Sequence, residues 1–269
     1  MKKKKTSQLL PLGKAVFALS AFLIAALSSA RADEPCTLAT LTGPYVMTTL
    51  GQEASGQAAT LFVITSDGNG NLSGTGTESL NGKIFSNVTA TGTYTADHSC
   101  QFTATTKDSL GNVRSVAGTI IQKGNRIDGI STGAKTDFQF MAFFQHGTAC
   151  TVSSGQGYIV SALQSPLTPY GSSTAAEQWN ISKKGTGTGN WVANYGGTAS
   201  QGTATATFST NPDCTYKEAV TRSDGTTANY FGAKGLNGFD NVIWLAIETD
   251  KGWVSISTVT LLCSYWPHC

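Results

Sequence analysis

The sequence predicts an all-β protein built from two tandem eight-stranded antiparallel up-and-down barrels. Three features predict this fold class: a repeat marked by cysteines, a strand-like alternation of side chains, and closely spaced turn residues. Cys36 and Cys100 are 64 residues apart, as are Cys150 and Cys214, and a shift of 114 residues lays the first pair on the second. The same shift superposes five pairs of glycines: Gly43/Gly157, Gly82/Gly196, Gly111/Gly225, Gly118/Gly232 and Gly124/Gly238. One structural unit is therefore expected twice.

Small or aromatic residues alternate with threonine in the segment 87–95, whose sequence is NVTATGTYT. Val88, Ala90 and Tyr94 would share one face and the threonines the other, which is the period of a half-buried strand. The second copy repeats the pattern at 203–208 (TATATF), where Ala204, Ala206 and Phe208 match Ala90, Gly92 and Tyr94. Apolar residues do not recur at helical spacing, so strands are expected throughout.

Turn dipeptides such as Asn81-Gly82 and Asp224-Gly225 divide each copy into short segments, because Asn-Gly and Asp-Gly close tight hairpins. They predict eight strands per copy, near 43–50, 57–66, 70–79, 83–95, 100–108, 112–123, 126–133 and 136–146, then near 156–163, 173–183, 186–195, 199–209, 214–221, 226–235, 240–249 and 252–262. A closed barrel removes the sheet edges that such hairpins would otherwise expose. Two β-sandwiches are the alternative, although no long Greek-key connection is visible.

The N-terminus has the three parts of a secretory signal peptide. Lys2 to Lys5 are basic, Ala15 to Leu27 is apolar, and Ala30-Arg31-Ala32 is a small-x-small cleavage site. We therefore predict a signal peptide at 1–32, a first barrel domain at 33–149 and a second at 150–269 with a short C-terminal tail. A secreted or periplasmic bacterial protein is the expected localisation.

Charge argues against nucleic acid as a partner. The signal holds six of the 18 basic residues and none of the 16 acidic ones, so the mature chain would carry a net charge of −4. Binding to phosphates requires clusters of Lys and Arg, and the mature chain has none. No stretch after the signal is apolar and long enough to predict a membrane-spanning helix.

All six cysteines lie in the exported part, where disulfides are the default state. The repeat favours Cys36–Cys100 and Cys150–Cys214, which leaves Cys263 and Cys269 to form a small closing loop. A rival scheme pairs Cys100 with Cys150 and Cys214 with Cys263, and leaves Cys36 to meet Cys269.

The first copy resembles a group of secreted bacterial, calycin-like β-barrel domains of largely unknown function. The resemblance is carried by Cys36, Gly43-Pro44-Tyr45, the turn Asp67 to Asn71, Gly92-Thr93-Tyr94 and Cys100. The second copy matches loosely, because it lacks the Asp-Gly-x-Gly turn and has Phe208 in place of Tyr94. What the resemblance implies is a fold and an exported location, without an activity.

All five tryptophans lie in the second copy. Large aromatic side chains in a barrel usually fill its core, and they also line ligand pockets that open at a barrel mouth. The candidate ligand-binding residues are Trp179, Trp191, Trp244 and Trp253. On the second interpretation the second copy binds a small apolar or aromatic ligand and the first supports it.

No catalytic or cofactor motif is visible. The three histidines, His98, His146 and His268, do not recur between copies, and no Gly-x-Ser-x-Gly elbow occurs. Six residues between Asp67 and Glu78 fit a calcium-loop template, but its glycine position holds Leu72, so a hairpin turn is the preferred interpretation. We predict no metal, no cofactor and no catalytic residue.

Three functions remain open. The first is non-enzymatic binding of a small ligand in a barrel lumen. The second is an envelope or extracellular interaction module, because Met141 and Phe143, matched by Val254 and Ile256, place apolar residues on outer strand faces and would bury a barrel–barrel or partner interface. The third is a barrel-type cyclase or isomerase, for which Glu177 and Glu248 are the only candidate acids. An enzyme is the less favoured of these classes.

Overall fold

The computed structural model describes residues 35–145, 158–167, 172–182, 184–236 and 242–262, with backbone alone for 158–167, 236, 242 and 259–262. Its first sheet has eight strands, each antiparallel to the next, and the last pairs with the first to close a barrel. These strands are β1 (Thr42–Glu53), β2 (Gly56–Asp67), β3 (Asn71–Leu80), β4 (Lys83–Ala96), β5 (Gln101–Asp108), β6 (Val113–Ile121), β7 (Arg126–Ser131) and β8 (Asp137–Phe144). Closure of this sheet confirms the barrel and excludes a sandwich for the first domain.

The second sheet curls in the same strand order, and β9 pairs with both β10 and β16, so that its pairing also returns on itself. Its strands are β9 (Tyr158–Leu167), β10 (Ser173–Ile181), β11 (Thr186–Tyr195), β12 (Thr198–Thr210), β13 (Thr215–Arg222), β14 (Thr227–Leu236), β15 (Val242–Glu248) and β16 (Val254–Leu262). Each begins 114 to 117 residues after its counterpart in the first sheet. We call β1–β8 the first barrel and β9–β16 the second barrel.

The first barrel is filled by the inward side chains that the alternation predicted. Val88, Ala90 and Tyr94 of β4 are buried in one apolar cluster with Phe138 and Phe140 of β8. The other buried members of the cluster come from β1, β2, β5, β6, β7 and β8 and from the segment before β1: Cys36, Leu41, Tyr45, Met47, Phe62, Ile64, Phe102, Ala104, Val116, Ile120, Ile127 and Ala142. Burial of this apolar surface is the main stabilising contribution to such a domain.

A short 3-10 helix, Leu38–Leu41, packs against one end of the first barrel. Tyr94 Oη donates a hydrogen bond to the Leu38 carbonyl at 2.8 Å. The disulfide Cys36–Cys100 joins the segment before this helix to the start of β5. This end of the barrel is therefore closed by a helix, a hydrogen bond and a disulfide.

Aspartates shape the tight turns of the first barrel. Asp67 Oδ1 accepts hydrogen bonds from the backbone N–H groups of Asn69 (2.7 Å) and Asn71 (2.9 Å). Asp97 and Asp108 accept from the backbone N–H groups two and four residues on in the same way. An aspartate that satisfies two turn donors explains why hairpins follow one another so closely along the sequence.

The two barrels pack against each other through a cluster of aliphatic and aromatic side chains, which we call the apolar seam. Its buried members are Val46, Ala59, Leu61 and Phe143 from the first barrel and Ala233, Ile243, Leu245, Ile247, Val254 and Ile256 from the second. These residues alternate with the inward residues of the same strands, so they lie on the outer faces. The structure thus confirms a barrel–barrel interface at Phe143, Val254 and Ile256, and the described residues of the two barrels form one compact unit.

The barrels also approach closely at two turns. Gly252 N–H donates to the Gly82 carbonyl at 2.8 Å. A Cβ on Gly82 would lie 2.5 Å from the Gly252 Cα, closer than atoms of a folded protein pack, and Gly82 has a φ of +76°. Glycine is therefore required here both for the contact and for the backbone conformation.

The predicted disulfide Cys36–Cys100 is confirmed, and the rival scheme is wrong because it assigns Cys100 to Cys150. Cys214 is also disulfide-bonded. The predicted signal peptide, the boundary at 149/150, and Cys150, Cys263, Cys269 and His146 lie outside the described residues. In the part of the chain that is described, no helix is long and apolar enough to cross a membrane.

We predict that Leu245→Ala, in the apolar seam, lowers the free energy of unfolding by about 2–5 kcal/mol, because it removes a fully buried side chain and leaves a cavity. Leu110→Ala is the matched control, since Leu110 is 42% exposed. Its expected effect is within about 0.5 kcal/mol. Urea unfolding followed by circular dichroism measures both, and equal effects would show that the seam does not stabilise the fold.

Removal of the first disulfide should also destabilise the protein. The bridge closes a loop of 64 residues, for which the chain-entropy relation gives about 4 kcal/mol of stabilisation. The double variant Cys36→Ala/Cys100→Ala should therefore unfold at a lower urea concentration. An unchanged unfolding midpoint would contradict the closing role assigned to this end.

Candidate functional site

A buried arginine lies inside the first barrel, surrounded by three carboxylates. Arg114 Nε contacts Glu53 Oε1 at 2.5 Å, Nη2 contacts Glu78 Oε1 at 2.7 Å, and Nη1 contacts Asp108 Oδ2 at 2.6 Å. All four side chains are at most 5% exposed. The strands bring them together at the end of the barrel opposite the 3-10 helix, where β1, β3 and β5 finish and β6 begins.

The charged groups of this cluster find most of their hydrogen-bond and ion-pair partners within it. Burial raises the pKa of Glu78 to about 7, with Glu53 and Asp108 adding repulsion and Arg114 opposing the shift. Burial also disfavours the charged form of Asp108, but hydrogen bonds from Arg114 and Asn112 outweigh it and lower that pKa. Because the guanidinium uses three nitrogens on carboxylates, we interpret the cluster as structural.

The second barrel brings three of the four candidate tryptophans together. Trp179, Trp191 and Trp244 are 1%, 3% and 7% exposed and belong to one buried cluster. Trp253 lies outside that cluster and contacts Tyr195 edge to face, with 6.3 Å between ring centroids. The predicted inward orientation holds for these three indoles, and their role in binding stays a prediction.

A second buried arginine lies among these aromatic rings. Arg222 Nη2 contacts Glu177 Oε1 at 2.8 Å and lies 3.5 Å from Tyr230 Oη. Its guanidinium carbon lies 5.7 Å from the Trp191 ring centroid, a cation–π distance. Burial alone would lower the pKa of Arg222, but the electrostatic interactions with Tyr230 and Glu177 raise it, so the group stays cationic.

Two further acids are buried in the second barrel. Burial raises the pKa of Glu218 to about 8, with added repulsion from Glu177 and a smaller opposing effect of Arg222. Burial likewise raises the pKa of Glu248 to about 8, although Ser255 Oγ donates a hydrogen bond to its Oε2 at 3.1 Å. Both carboxyls therefore hold a proton at neutral pH, and they add hydrogen-bond donors to the interior.

Four buried polar atoms of the second barrel have no hydrogen-bond partner among the described residues. They are Ser173 Oγ, Trp179 Nε1, Tyr216 Oη and Arg222 Nε. A buried polar group without a partner costs about 1–3 kcal/mol. The interior of this barrel thus offers more hydrogen-bonding capacity than its own side chains use.

Sequence reasoning missed Arg222, Glu218 and Arg114. The alternation of inward and outward residues along a strand could have shown that these side chains point inward. On β13, one face is buried, and it holds Tyr216, Glu218, Val220 and Arg222. Glu177 and Glu248 were named as candidate acids, and both are buried. Charged residues in phase with buried apolar ones were the pattern that could have identified the whole cluster.

A cleft with a volume of about 1140 Å³ lies between the barrels, and both polar and apolar side chains line it. Thr65, Ser73 and Thr75 line it from the first barrel, and Lys217 and Asn229 from the second. These side chains are exposed on outer strand faces, unlike the buried polar groups of the second interior.

The calcium template does not assemble into a site. Asp67 caps its own turn, while Glu78 lies inside the barrel on Arg114. Within the described residues, no group of His, Cys, Asp and Glu could hold a metal ion. His98 is exposed at a turn.

No protein-family model matches the chain, and no curated protein sequence matches it. Among solved structures, transferrin binding protein B (isotype 1) from serogroup B Neisseria meningitidis matches at 7% identity with a TM-score of 0.33, over 76% of this chain. This chain spans 62% of the length of that protein. Kievitone hydratase from Nectria haematococca matches at 9% identity with a TM-score of 0.28, over 87% of this chain and 91% of that one. These TM-scores are too low for either likeness to bear on function.

We predict that stability falls as pH rises from about 4.5 to about 8. Glu218 and Glu248 have a pKa of about 8 in the fold, against 4.5 ordinarily, so the unfolded chain binds fewer protons across that range. Each proton of difference lowers the free energy of unfolding by about 1.4 kcal/mol per pH unit, and the fall ends above the folded pKa.

Glu248→Gln should make this decline shallower and leave the variant more stable than the natural protein at pH 9. Asp137→Asn, at an exposed carboxylate, is the control and should follow the natural protein. Urea unfolding between pH 5 and pH 9 measures both. Parallel curves for Glu248→Gln and the natural protein would show that Glu248 ionises freely.

Proposed function

We propose that the interior of the second barrel binds a small aromatic molecule, and that the protein is an exported, non-enzymatic binding protein. One observation carries this: four buried polar atoms lie unpartnered in a barrel whose interior also holds three indoles. Indoles supply flat apolar surface, and a few unused polar groups fix the orientation of a ligand. The ligand therefore has polar groups as well as an aromatic body.

The first barrel supports the second. Tyr45 Oη and Tyr94 Oη donate to backbone carbonyls at 2.8 Å, and Arg114 is held by three carboxylates. Inside this barrel Ser66 Oγ and Glu78 Oε2 lack partners among the described residues. Because its two tyrosine hydroxyls and its guanidinium have partners and one of its ends is closed, this barrel has few groups left to bind a ligand, and its main contribution is packing at the apolar seam.

Two observations support an exported tandem repeat. Disulfides persist in oxidising compartments, and both Cys36–Cys100 and the bonded Cys214 occur in this chain. Strand starts recur at a spacing of 114 to 117 residues. We propose a secreted or periplasmic protein of two related calycin-like domains, of which the second has acquired the binding interior.

The interaction-module alternative loses its main support, because the outer apolar strip is covered by the other barrel. The exposed large apolar side chains of the described part, Leu110, Val113, Ile130 and Val192, lie on separate turns and strands. A second candidate function is proton transfer to the bound molecule, as in a cyclase or isomerase. Glu248 favours it, as a protonated acid 1% exposed.

N-Phenyl-1-naphthylamine, whose fluorescence rises in apolar surroundings, tests binding directly. We expect one saturable site, and we expect Ala204→Phe, which fills the second interior, to weaken binding at least about tenfold. Ala204 is 5% exposed and faces the buried cluster. Circular dichroism confirms folding, since overpacking costs about 1–3 kcal/mol.

Two matched controls locate the site. Ala199→Phe adds the same side chain on an exposed position of β12, and Ala104→Phe adds it inside the first barrel, where Ala104 is 6% exposed. Both should bind the probe like the natural protein. Absence of saturable binding, or equal loss in Ala104→Phe, would reject the second barrel as the site.

A further inference from the structure

The unpartnered atoms of the second interior share one chemical property. Trp179 Nε1 and Arg222 Nε carry hydrogens and cannot accept a hydrogen bond, and the hydroxyls of Ser173 and Tyr216 can donate. In the described part of this barrel, no side-chain carbonyl or carboxylate oxygen is among the unpartnered buried atoms. The unused capacity is therefore donating.

The first barrel has the opposite balance. Its unpartnered buried side-chain atoms are Ser66 Oγ and Glu78 Oε2 in the interior, and Thr48 Oγ1, Gln57 Oε1 and Gln122 Oε1 elsewhere. No obligate donor is among them. The excess of donors is thus particular to the second barrel and is not a general feature of the fold.

Trp179 and Tyr216 are the least exposed of the four residues that carry these donors, at 1% and 3%. Trp179 lies near the end of β10 and Tyr216 near the start of β13, so both lie towards the hairpins β10–β11 and β12–β13. Aromatic rings surround them: Phe208 contacts the Trp179 ring at 6.3 Å between centroids, and Trp244 contacts the Tyr216 ring at 4.9 Å. An oxygen acceptor held there would be flanked by rings that also contact its aromatic body.

We propose that the second barrel takes a flat aromatic molecule that carries a carbonyl oxygen, held by the Trp179 indole N–H and the Tyr216 hydroxyl, in preference to a hydrocarbon of the same shape. The inference rests on the proposed function of this barrel and specifies its ligand class. Burial keeps the pKa of Tyr216 well above its usual value, so its hydroxyl stays a donor throughout the physiological range.

Two probes of nearly equal shape separate the contribution of the carbonyl oxygen from that of the aromatic rings. 2-Acetylnaphthalene carries a carbonyl where 2-ethylnaphthalene carries a methylene, and equilibrium dialysis measures the affinity of each without relying on fluorescence. We expect the acetyl probe to bind about tenfold tighter, as a formerly unpartnered buried donor gains an acceptor. Equal affinities would overturn the inference and leave the binding function standing, whereas no binding of either probe would reject the function itself.

Tyr216→Phe removes only the hydroxyl, and Trp179→Phe removes the indole N–H. Each should reduce the preference for the acetyl probe by about fivefold or more, while affinity for 2-ethylnaphthalene changes less. A preference that survives unchanged in both variants would overturn the assignment of these donors.

Tyr45→Phe is the matched control in the first barrel, because the Tyr45 hydroxyl already donates to the Gly124 carbonyl at 2.8 Å. Tyr45→Phe should lower the melting temperature and leave the probe preference unchanged. Tyr216→Phe should leave the melting temperature of the free protein unchanged or higher, since its hydroxyl is unpartnered. A fall in melting temperature for Tyr216→Phe as large as for Tyr45→Phe would show that the hydroxyl has a structural partner, and would overturn the proposal.

Discussion

Closure of the sheet is the constraint on which the rest of this structure depends. A side chain that points into an eight-stranded ring can find a hydrogen-bond partner only among the other inward side chains, the backbone or a bound molecule. In the first barrel that requirement is largely met internally, through the Arg114 cluster and two tyrosine hydroxyls bound to backbone carbonyls. In the second barrel Arg222 pairs with Glu177 and Ser255 donates to Glu248, but four buried polar atoms have no partner among the described residues. This difference between the two interiors is the main evidence about function.

The apolar seam shows that the outer faces of the strands are also buried where the two barrels meet. A free barrel of this kind would place polar residues outward on every strand, yet Leu61, Leu245 and Ile247 are fully buried on outer faces. The two barrels therefore stabilise each other, and the first contributes to the second without sharing its interior chemistry. The two barrels have the same strand order. Their buried arginines nevertheless lie on strands that do not correspond: β6 is the sixth strand of the first barrel, and β13 is the fifth of the second.

Much of the fold could be predicted from local pattern, because alternation and turn chemistry act over a few residues. The inward face of β4 came from such a pattern, whereas the pairing of Cys36 with Cys100 came from the repeat of 114 residues. The buried ionic clusters could not, since Arg114 meets Glu53 from 61 residues away and Arg222 meets Glu177 from 45 residues away. Charges in phase with a buried face show which residues point inward, but which of them meet depends on closure of the ring.

A ligand in the second barrel would also affect the stability of the fold. Unpartnered donors and protonated acids with raised pKa values cost folding free energy, and Glu218 and Glu248 add that cost in one barrel. A molecule that accepts hydrogen bonds from Trp179 and Tyr216 would recover part of it, because binding to the folded state alone stabilises that state. The same groups that lower the stability of the second barrel are the ones that we propose select its ligand, and an aromatic molecule with a carbonyl oxygen would offset part of that cost.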